Sequence, residues 1–318
     1  MAVAPQPLPL QILDLRMLRA EVLRALFEEE QQAWREELHW DYRHSVELLR
    51  RHIDAHNLPG YTAVVQGEAV GFCFFVYEDH KGLLGDLYVR AAWREQAIAT
   101  RLLEHALETL EQSPIVRRIE AQLIPFGLEP LEPIFAARQY DVFPRLFMFR
   151  PLEPADSIAL AAPAQGLRRW DERDFDFMAE LIVRAYRGHM DSQINDHYGT
   201  EAGAQRFLQN IIVFPGCGVF QPGWSVVAPE PDGLAGAVLA SEVAPGVAHI
   251  TQVCVRPERQ GRGLGRALLL SCLQRAAAGG CRGVSLTVTT ANRNAVALYE
   301  RLGFQVIKEF NAFTRTLR

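Results

Sequence analysis

Gln260-Gly261-Arg262-Gly263-Leu264-Gly265 is the stretch that decides how this chain is read. Before it, Ala248–Val255 alternates apolar and polar residues and predicts a strand; after it, a helix is expected from Gly263 to Ala277, closed by Gly279-Gly280. Glycines at a strand-to-helix turn let the backbone bend sharply and approach a ligand with no Cβ in the way. The N–H groups of the first helical turn then face outward as anion donors. This is the composition of a pyrophosphate cradle. Arg256, Arg259, Arg262 and Arg266 place positive charge where the helix dipole already presents it, which is unfavourable by about 0.3–1 kcal/mol per cation unless an anion binds. Other glycine loops are spelled differently: a P-loop ends in Gly-Lys-Ser/Thr, and a dinucleotide fingerprint needs glycine where Arg266 stands.

A second motif follows about 30 residues on, Asn292-Arg293-Asn294-Ala295-Val296-Ala297-Leu298-Tyr299-Glu300-Arg301-Leu302-Gly303-Phe304. Asn292 and Tyr299 stand two helical turns apart, so a helix beginning near Asn292 turns an amide and a phenol to one side. The structural alternatives are an asparagine cap and a core tyrosine. At these residues the sequence resembles the GNAT superfamily of acyl-CoA-dependent N-acetyltransferases. Gln260, Gly263 and Gly265 match its Gln/Arg-x-x-Gly-x-Gly/Ala element, and Asn292, Ala295, Tyr299, Gly303 and Phe304 match its second element.

The resemblance implies acetyl-CoA as co-substrate and a splayed strand pair in which Val253, Cys254 and Val255 hold the pantetheine arm. It further implies that the amides of Gln260, Gly261, Arg262, Gly263, Leu264 and Gly265 bind the pyrophosphate beside Arg266, that Asn292 lies near the pantetheine, and that Tyr299 is the general acid. Attack on a thioester needs a neutral amine, so a proton acceptor is also required. His249, eleven residues before Gln260, stands where some relatives carry a basic carboxylate, and a histidine there is expected to titrate near neutrality. Glu242 is the runner-up. The polar run from Tyr186 to Tyr198 is expected to wall the acceptor pocket through His189, Asp191, Asp196 and Tyr198, with a solvated, capped loop as the alternative.

Working outward, the glycine turn has a counterpart. Val89–Leu103 lies under Val255–Leu269 without a gap, displaced by 166 residues, and Ile134–Tyr140 answers Leu298–Phe304. The earlier copy carries Arg94, Glu95, Ala97 and Ala99 at the turn and Phe135 at the position of Tyr299, and has no asparagine opposite Asn292; it is expected to be catalytically silent. The resulting fold class is α/β: two tandem GNAT-like domains, each a mixed, mostly antiparallel twisted sheet flanked by helices. The expected boundaries are a degenerate domain at 1–150, a linker rich in proline and alanine at 151–166, and a catalytic domain at 167–318. Helices are expected at Leu15–Glu37, Tyr42–Ala55, Phe175–Tyr186, Ala202–Ile211 and Asn294–Leu302. Strands are expected in the hairpin Tyr61–Tyr77 and at Gly223–Ala228, Leu234–Glu242, Gly283–Thr289 and Val306–Thr316.

Composition agrees with this reading. The 318 residues suit two domains, and 49% hydrophobic with 22% charged residues describes a chain able to bury substantial cores. The net charge of −5 argues against a dedicated nucleic-acid binder. Five cysteines without a CxxC pair argue against a disulfide scaffold or a metal site. No apolar run reaches membrane length and no leader pattern opens the chain, so a cytoplasmic enzyme with no membrane partner is expected. The acceptor is a small-molecule or peptide amine; monomer and homodimer are both open. The reading from another class is a non-catalytic acyl-CoA-binding or sensor protein.

Overall fold

The computed structural model describes residues 10–153, 166–213 and 217–317, which form two compact units. The first holds the chain through Glu36, Tyr42–Phe143, and the segment from Phe310 onward; the second holds Glu37–Asp41 and Pro144–Glu309.

The first unit contains strand β1 (Leu10–Asp14), helices α1 (Arg24–Leu38) and α2 (Arg43–Asp54), and strands β2 (Gly60–Val65), β3 (Glu68–Glu78) and β4 (Lys81–Val89). These lead to α3 (Ile98–Gln112), β5 (Arg118–Leu123), α4 (Glu132–Ala137) and the start of β6 (Asp141–Pro151). Strands β1 to β4 are antiparallel neighbours, and β4 pairs with β5 in parallel over Lys81–Leu84 and Arg118–Ala121. Ile98, Leu102, Leu103, Ala106, Leu107 and Leu110 recur at helical spacing, so α3 lays one apolar face on the sheet.

The second unit repeats the plan with β7 (Arg168–Arg169), α5 (Phe175–Tyr186), α6 (Asp191–Ile194), α7 (Glu201–Ile212), β8 (Val219–Phe220), β9 (Val226–Glu230), β10 (Gly233–Ala244) and β11 (Val247–Val255). After these come α8 (Leu264–Ala278), β12 (Gly283–Thr289), α9 (Arg293–Arg301) and β13 (Gln305–Thr316). Strands β9, β10 and β11 are antiparallel, and β11 pairs with β12 in parallel over Val247–Ile250 and Gly283–Leu286. One face is covered by α8 through Leu268, Leu269, Cys272, Leu273 and Ala276; α5 and α7 cover Ala237, Leu239 and Cys254 on the other.

Each sheet is completed by the strand that ends the other copy of the repeat. In the second unit β12 pairs antiparallel with β6 (Gly283–Thr289 with Arg145–Pro151), and in the first unit β5 pairs antiparallel with β13 (Arg118–Leu123 with Asn311–Thr316). The compact units therefore depart from the sequence boundaries of 1–150 and 167–318. Strand pairing between segments more than a hundred residues apart leaves no local pattern in the sequence. Most of the expected linker, residues 154–165, lies outside the described residues.

Local differences have identifiable causes. The expected helix Leu15–Glu37 opens with two 3-10 turns, Leu15–Met17 and Ala20–Leu23, because the Asp14 carboxylate accepts from the Arg16 amide at 2.9 Å and Asp54 accepts from the Ala20 amide at 2.9 Å. Strand β1 was not anticipated. The strand expected at Gly223 begins at Val226, since the amides of Trp224 and Ser225 are held in a turn by the Gln221 carbonyl.

Candidate functional site

The parallel pairing of β11 with β12 ends at Ile250 and Leu286, although β11 runs on to Val255 beside β10 and β12 runs on to Thr289 beside β6. The two strands splay, and the gap opens toward the glycine turn. Thr251 is passed over in the register with β10, a bulge at the point of divergence. The side chains of Val253 and Val255 pack toward α8, which leaves the β12-facing backbone edge of Thr251–Val255 outside the ladder.

At the turn, Gln260 Nε2 donates to the Val255 carbonyl at 3.1 Å and fixes the loop to the end of the strand. Gly261 and Gly263 adopt left-handed φ values of 71° and 83°, and no atom stands within 4 Å of where a Cβ would project. Gly263 is the N-cap of α8 and no side chain caps that helix, so the N–H groups of Leu264, Gly265 and Arg266 have no intrahelical acceptor. An anion seated there would meet open space, backbone donors and the helix dipole.

The arginine cluster is smaller than the sequence implies. Arg256 is buried and reaches Glu230 at 3.3 Å and Asp232 at 3.2 Å, and Arg259 pairs with Glu230 at 2.6 Å. These two charges are neutralised within the protein. Arg262 and Arg266 are exposed, with no acid paired to them among the described residues.

The second motif builds α9. Asn292 caps it, Oδ1 accepting from the Ala295 amide at 3.3 Å, and its Nδ2 lies 3.4 Å from His189 Nε2. Tyr299 is buried with Phe304 edge-on at 5.9 Å. Burial, followed by the charge of Asp191 and then Cys254, pushes its phenol up, so the group holds its proton at neutral pH. A protonated phenol is the form a general acid needs.

The two expected bases stand in different surroundings. His249 is buried, its ring 5.0 Å from Trp40 and 5.8 Å from Phe147, with Nδ1 2.9 Å from Ser285 Oγ. Burial first, and then the Arg145 charge, lowers its pKa to about 3, so the expectation of titration near neutrality fails. Glu242 accepts from the Gly246 amide at 3.2 Å and thereby braces the β10–β11 hairpin turn.

The loop after α5 gathers polar groups at the face of β12. Thr289 donates to Asp191 Oδ1 at 2.5 Å, and His189 Nδ1 is 3.2 Å from the Asp191 amide and 3.7 Å from its Oδ2. Tyr198 stacks on Tyr186 at 4.3 Å. Asp196 is exposed. The Cys254 side chain turns away from the glycine turn, toward α5, where Gln252 Nε2 donates to it at 3.4 Å and burial pushes the thiol up to about 12. Sequence reasoning missed Tyr186, Thr289 and Arg145, which reaches Thr287 Oγ1 at 3.3 Å from β6. Only the strand register, Arg145 opposite Thr289, places that arginine here.

The second unit combines a splayed parallel pair, a left-handed glycine turn and a capped helix carrying a protonated phenol; the first repeats the strand–turn–helix plan with Ala97 at the turn and Phe135 in place of the phenol. The chain belongs to the acetyltransferase (GNAT) family, which it matches over residues 19–125 and 186–304. Its sequence is similar to the mycothiol acetyltransferase of Kineococcus radiotolerans, 45% identical over 85 residues, 27% of either chain. It is also similar to that of Kocuria rhizophila, 44% identical over 62 residues, 20% of either chain. The alignments thus span about a quarter of those relatives. Among solved structures, a GCN5-related N-acetyltransferase from Sphaerobacter thermophilus shares the fold with TM-score 0.68 and 18% identity over 98% of both chains. A tandem GNAT protein from the clavulanic acid biosynthesis pathway does so with TM-score 0.56 and 17% identity, over 97% of this chain and 98% of that one. Among the described residues no helix is long and apolar enough to cross a membrane.

Proposed function

We propose that the second unit transfers an acetyl group from acetyl-CoA to a primary amine of a small molecule or peptide, by direct attack on the thioester. The observation that carries this reading is the empty left-handed turn at Gly261 and Gly263, set at the mouth of the β11–β12 gap with uncapped helix donors behind it. The turn and the exposed Arg262 and Arg266 hold the pyrophosphate, the free edge of Thr251–Val255 aligns the pantetheine, and Tyr299 protonates the departing sulfur. Asn292, whose carbonyl oxygen is committed to capping, positions α9 and hence Tyr299. Family membership supports acetyl-CoA as the donor, since members generally use it.

The test is release of free thiol from acetyl-CoA in the presence of primary amines. Tyr299→Phe keeps ring packing and removes the proton donor, so turnover is expected to fall by roughly 10²–10⁴-fold while calorimetric affinity for acetyl-CoA is kept. An intact protein that binds acetyl-CoA and yields no thiol whichever amine is supplied would instead be a sensor.

A further inference from the structure

The proposed reaction needs a proton acceptor; His249 is sealed behind Trp40 and Phe147, and Glu242 is engaged with the Gly246 amide at a hairpin turn. The loop after α5 supplies a carboxylate in the right surroundings. Asp191 is anchored by the Thr289 hydroxyl at the end of β12, on the strand that borders the gap, and its side chain keeps 18% of its surface exposed. Among the described residues it is the one carboxylate whose charge acts on all three phenols of this region. Tyr299 on α9, Tyr198 after α6 and Tyr186 on α5 are each pushed up by burial first, with the Asp191 charge among the further causes in every case. Further ionisable groups of this region are His189 on the same loop, Cys254 on β11, Cys217 before β8 and Arg145 on β6. A carboxylate partly open to solvent, with one oxygen held by a hydroxyl, recognises an ammonium group through the other.

We propose that Asp191 binds the acceptor's ammonium group, takes its first proton and returns that proton to solvent through the exposed part of its carboxylate, with His189, whose Nδ1 accepts from the Asp191 amide, as the positioning residue. This assignment rests on the transferase reading. The ammonium gives one proton to Asp191, and the freed lone pair on nitrogen attacks the thioester carbonyl carbon. The carbon–sulfur bond then breaks with its electron pair on sulfur, and sulfur takes the Tyr299 proton. The second N–H proton, shed as the amide forms, restores the Tyr299 phenol. One ammonium and one thioester thus yield one amide, one thiol and one proton, which leaves through Asp191. Thr289 holds Oδ1, so Oδ2 is the oxygen that faces the amine and His189.

The experiment compares the full chain with Asp191→Asn, which keeps the acceptor oxygen for Thr289 and loses the charge. Acetyl-CoA serves as donor, with spermidine, tyramine, glucosamine and an alanine-initiated tetrapeptide as probe amines. Asp191→Asn should leave calorimetric affinity for acetyl-CoA unchanged and lower kcat/KM for the best amine by about 100-fold, chiefly through KM. Its rate should climb with pH up to the amine's own pKa, because only amine that is already neutral can react, whereas the wild-type rate levels off at lower pH. Thr289→Val, which frees the carboxylate but keeps its charge, is expected to lose about 5–10-fold and to retain the wild-type pH profile; this variant keeps the proposal testable should Asp191→Asn not fold. A folded Asp191→Asn with wild-type KM, kcat and pH profile overturns the Asp191 assignment and leaves the transferase standing, as does a Thr289→Val that takes on the amine's own pH profile. A wild-type chain that releases thiol with none of the four amines and does not bind acetyl-CoA overturns both.

Discussion

The turns Arg94–Ala99 and Gln260–Gly265 are built on the same plan and end in opposite conditions. In both, the first residue ties the loop back to the last residue of the preceding strand: Arg94 Nε to the Val89 carbonyl at 3.0 Å, Gln260 Nε2 to the Val255 carbonyl at 3.1 Å. In both, the helix N-cap is left-handed, Ala97 at φ 53° and Gly263 at φ 83°, and the fourth residue beyond donates back to it. The first turn is closed by its own unit. Glu29 accepts from the Ala91 amide at 2.6 Å and from Arg90 at 3.1 Å, Arg94 reaches the Tyr88 hydroxyl at 3.3 Å, and Glu129 accepts from Thr100 at 2.6 Å in the first turn of α3. Carboxylates already stand around a helix start where the second unit presents open space and exposed arginines. The two turns therefore differ in the charge of their surroundings as well as in glycine content.

The pockets behind the turns diverge in the same direction. In the first unit Glu30 and Asp86 are buried together, and Asp86 accepts from Tyr42 at 2.7 Å and from the Leu87 amide at 2.8 Å. Trp34 covers them, stacked on Tyr42 at 4.4 Å and packed on Phe126 at 5.3 Å. Burial, and then the neighbouring charge, raises Glu30 well above the usual range; Asp86 is raised by burial against its own hydrogen bonds. In the second unit the carboxylate of Asp191 keeps contact with solvent.

The largest test of this comparison concerns the exchanged strand. A truncation starting at Leu152 removes Leu146 and Met148 from the core of the second unit and leaves β12 with a bare edge; one starting at Pro144 retains both. Loss of large apolar side chains costs roughly 2–5 kcal/mol each, so the shorter chain should show no cooperative thermal transition by circular dichroism, in contrast to the longer one. Equal melting of the two would mean that β6 adds nothing to the second unit.

Next in size is the phosphate turn itself. Gly263→Val puts a β-branched residue at φ 83° and a Cβ into the space over the turn, so titration calorimetry should show loss of CoA binding in a folded protein. Ala97→Val in the first unit should leave the stoichiometry unchanged. Two strong sites per chain would show that the first turn is not closed.

Glu30→Gln probes the buried acids. Because the folded state holds the Glu30 proton above the ordinary carboxyl range, its contribution is fully present below that range and is lost as pH rises through the raised value. The variant should therefore be more stable relative to wild type at pH 8 than at pH 4, because Gln has no proton to lose. Urea unfolding at the two pH values measures this; a gain that is the same at both would exclude proton linkage. The smallest effect is expected for Ala97→Gly, which relieves a left-handed alanine worth about 1–2 kcal/mol and should raise Tm by a few degrees without creating a CoA site.

The glycine turn, α8, β12 and the Asn292–Phe304 element were legible in the sequence because each is a local pattern: apolar residues at helical or alternate spacing, punctuated by residues that suit a cap or a left-handed turn. The duplication was legible because a repeat is a property of order along the chain. Tertiary structure alone decided the rest. Desolvation disqualified His249, since its environment comes from Trp40 on a segment more than two hundred residues earlier and from Phe147 on β6. Ion pairing removed Arg256 and Arg259 from the anion site through Glu230 and Asp232. Register brought Arg145 opposite Thr289, and Thr289 to Asp191. Charge, burial and proton affinity depend on which distant segments meet, and sequence spacing carries only the part of that information that lies within one element.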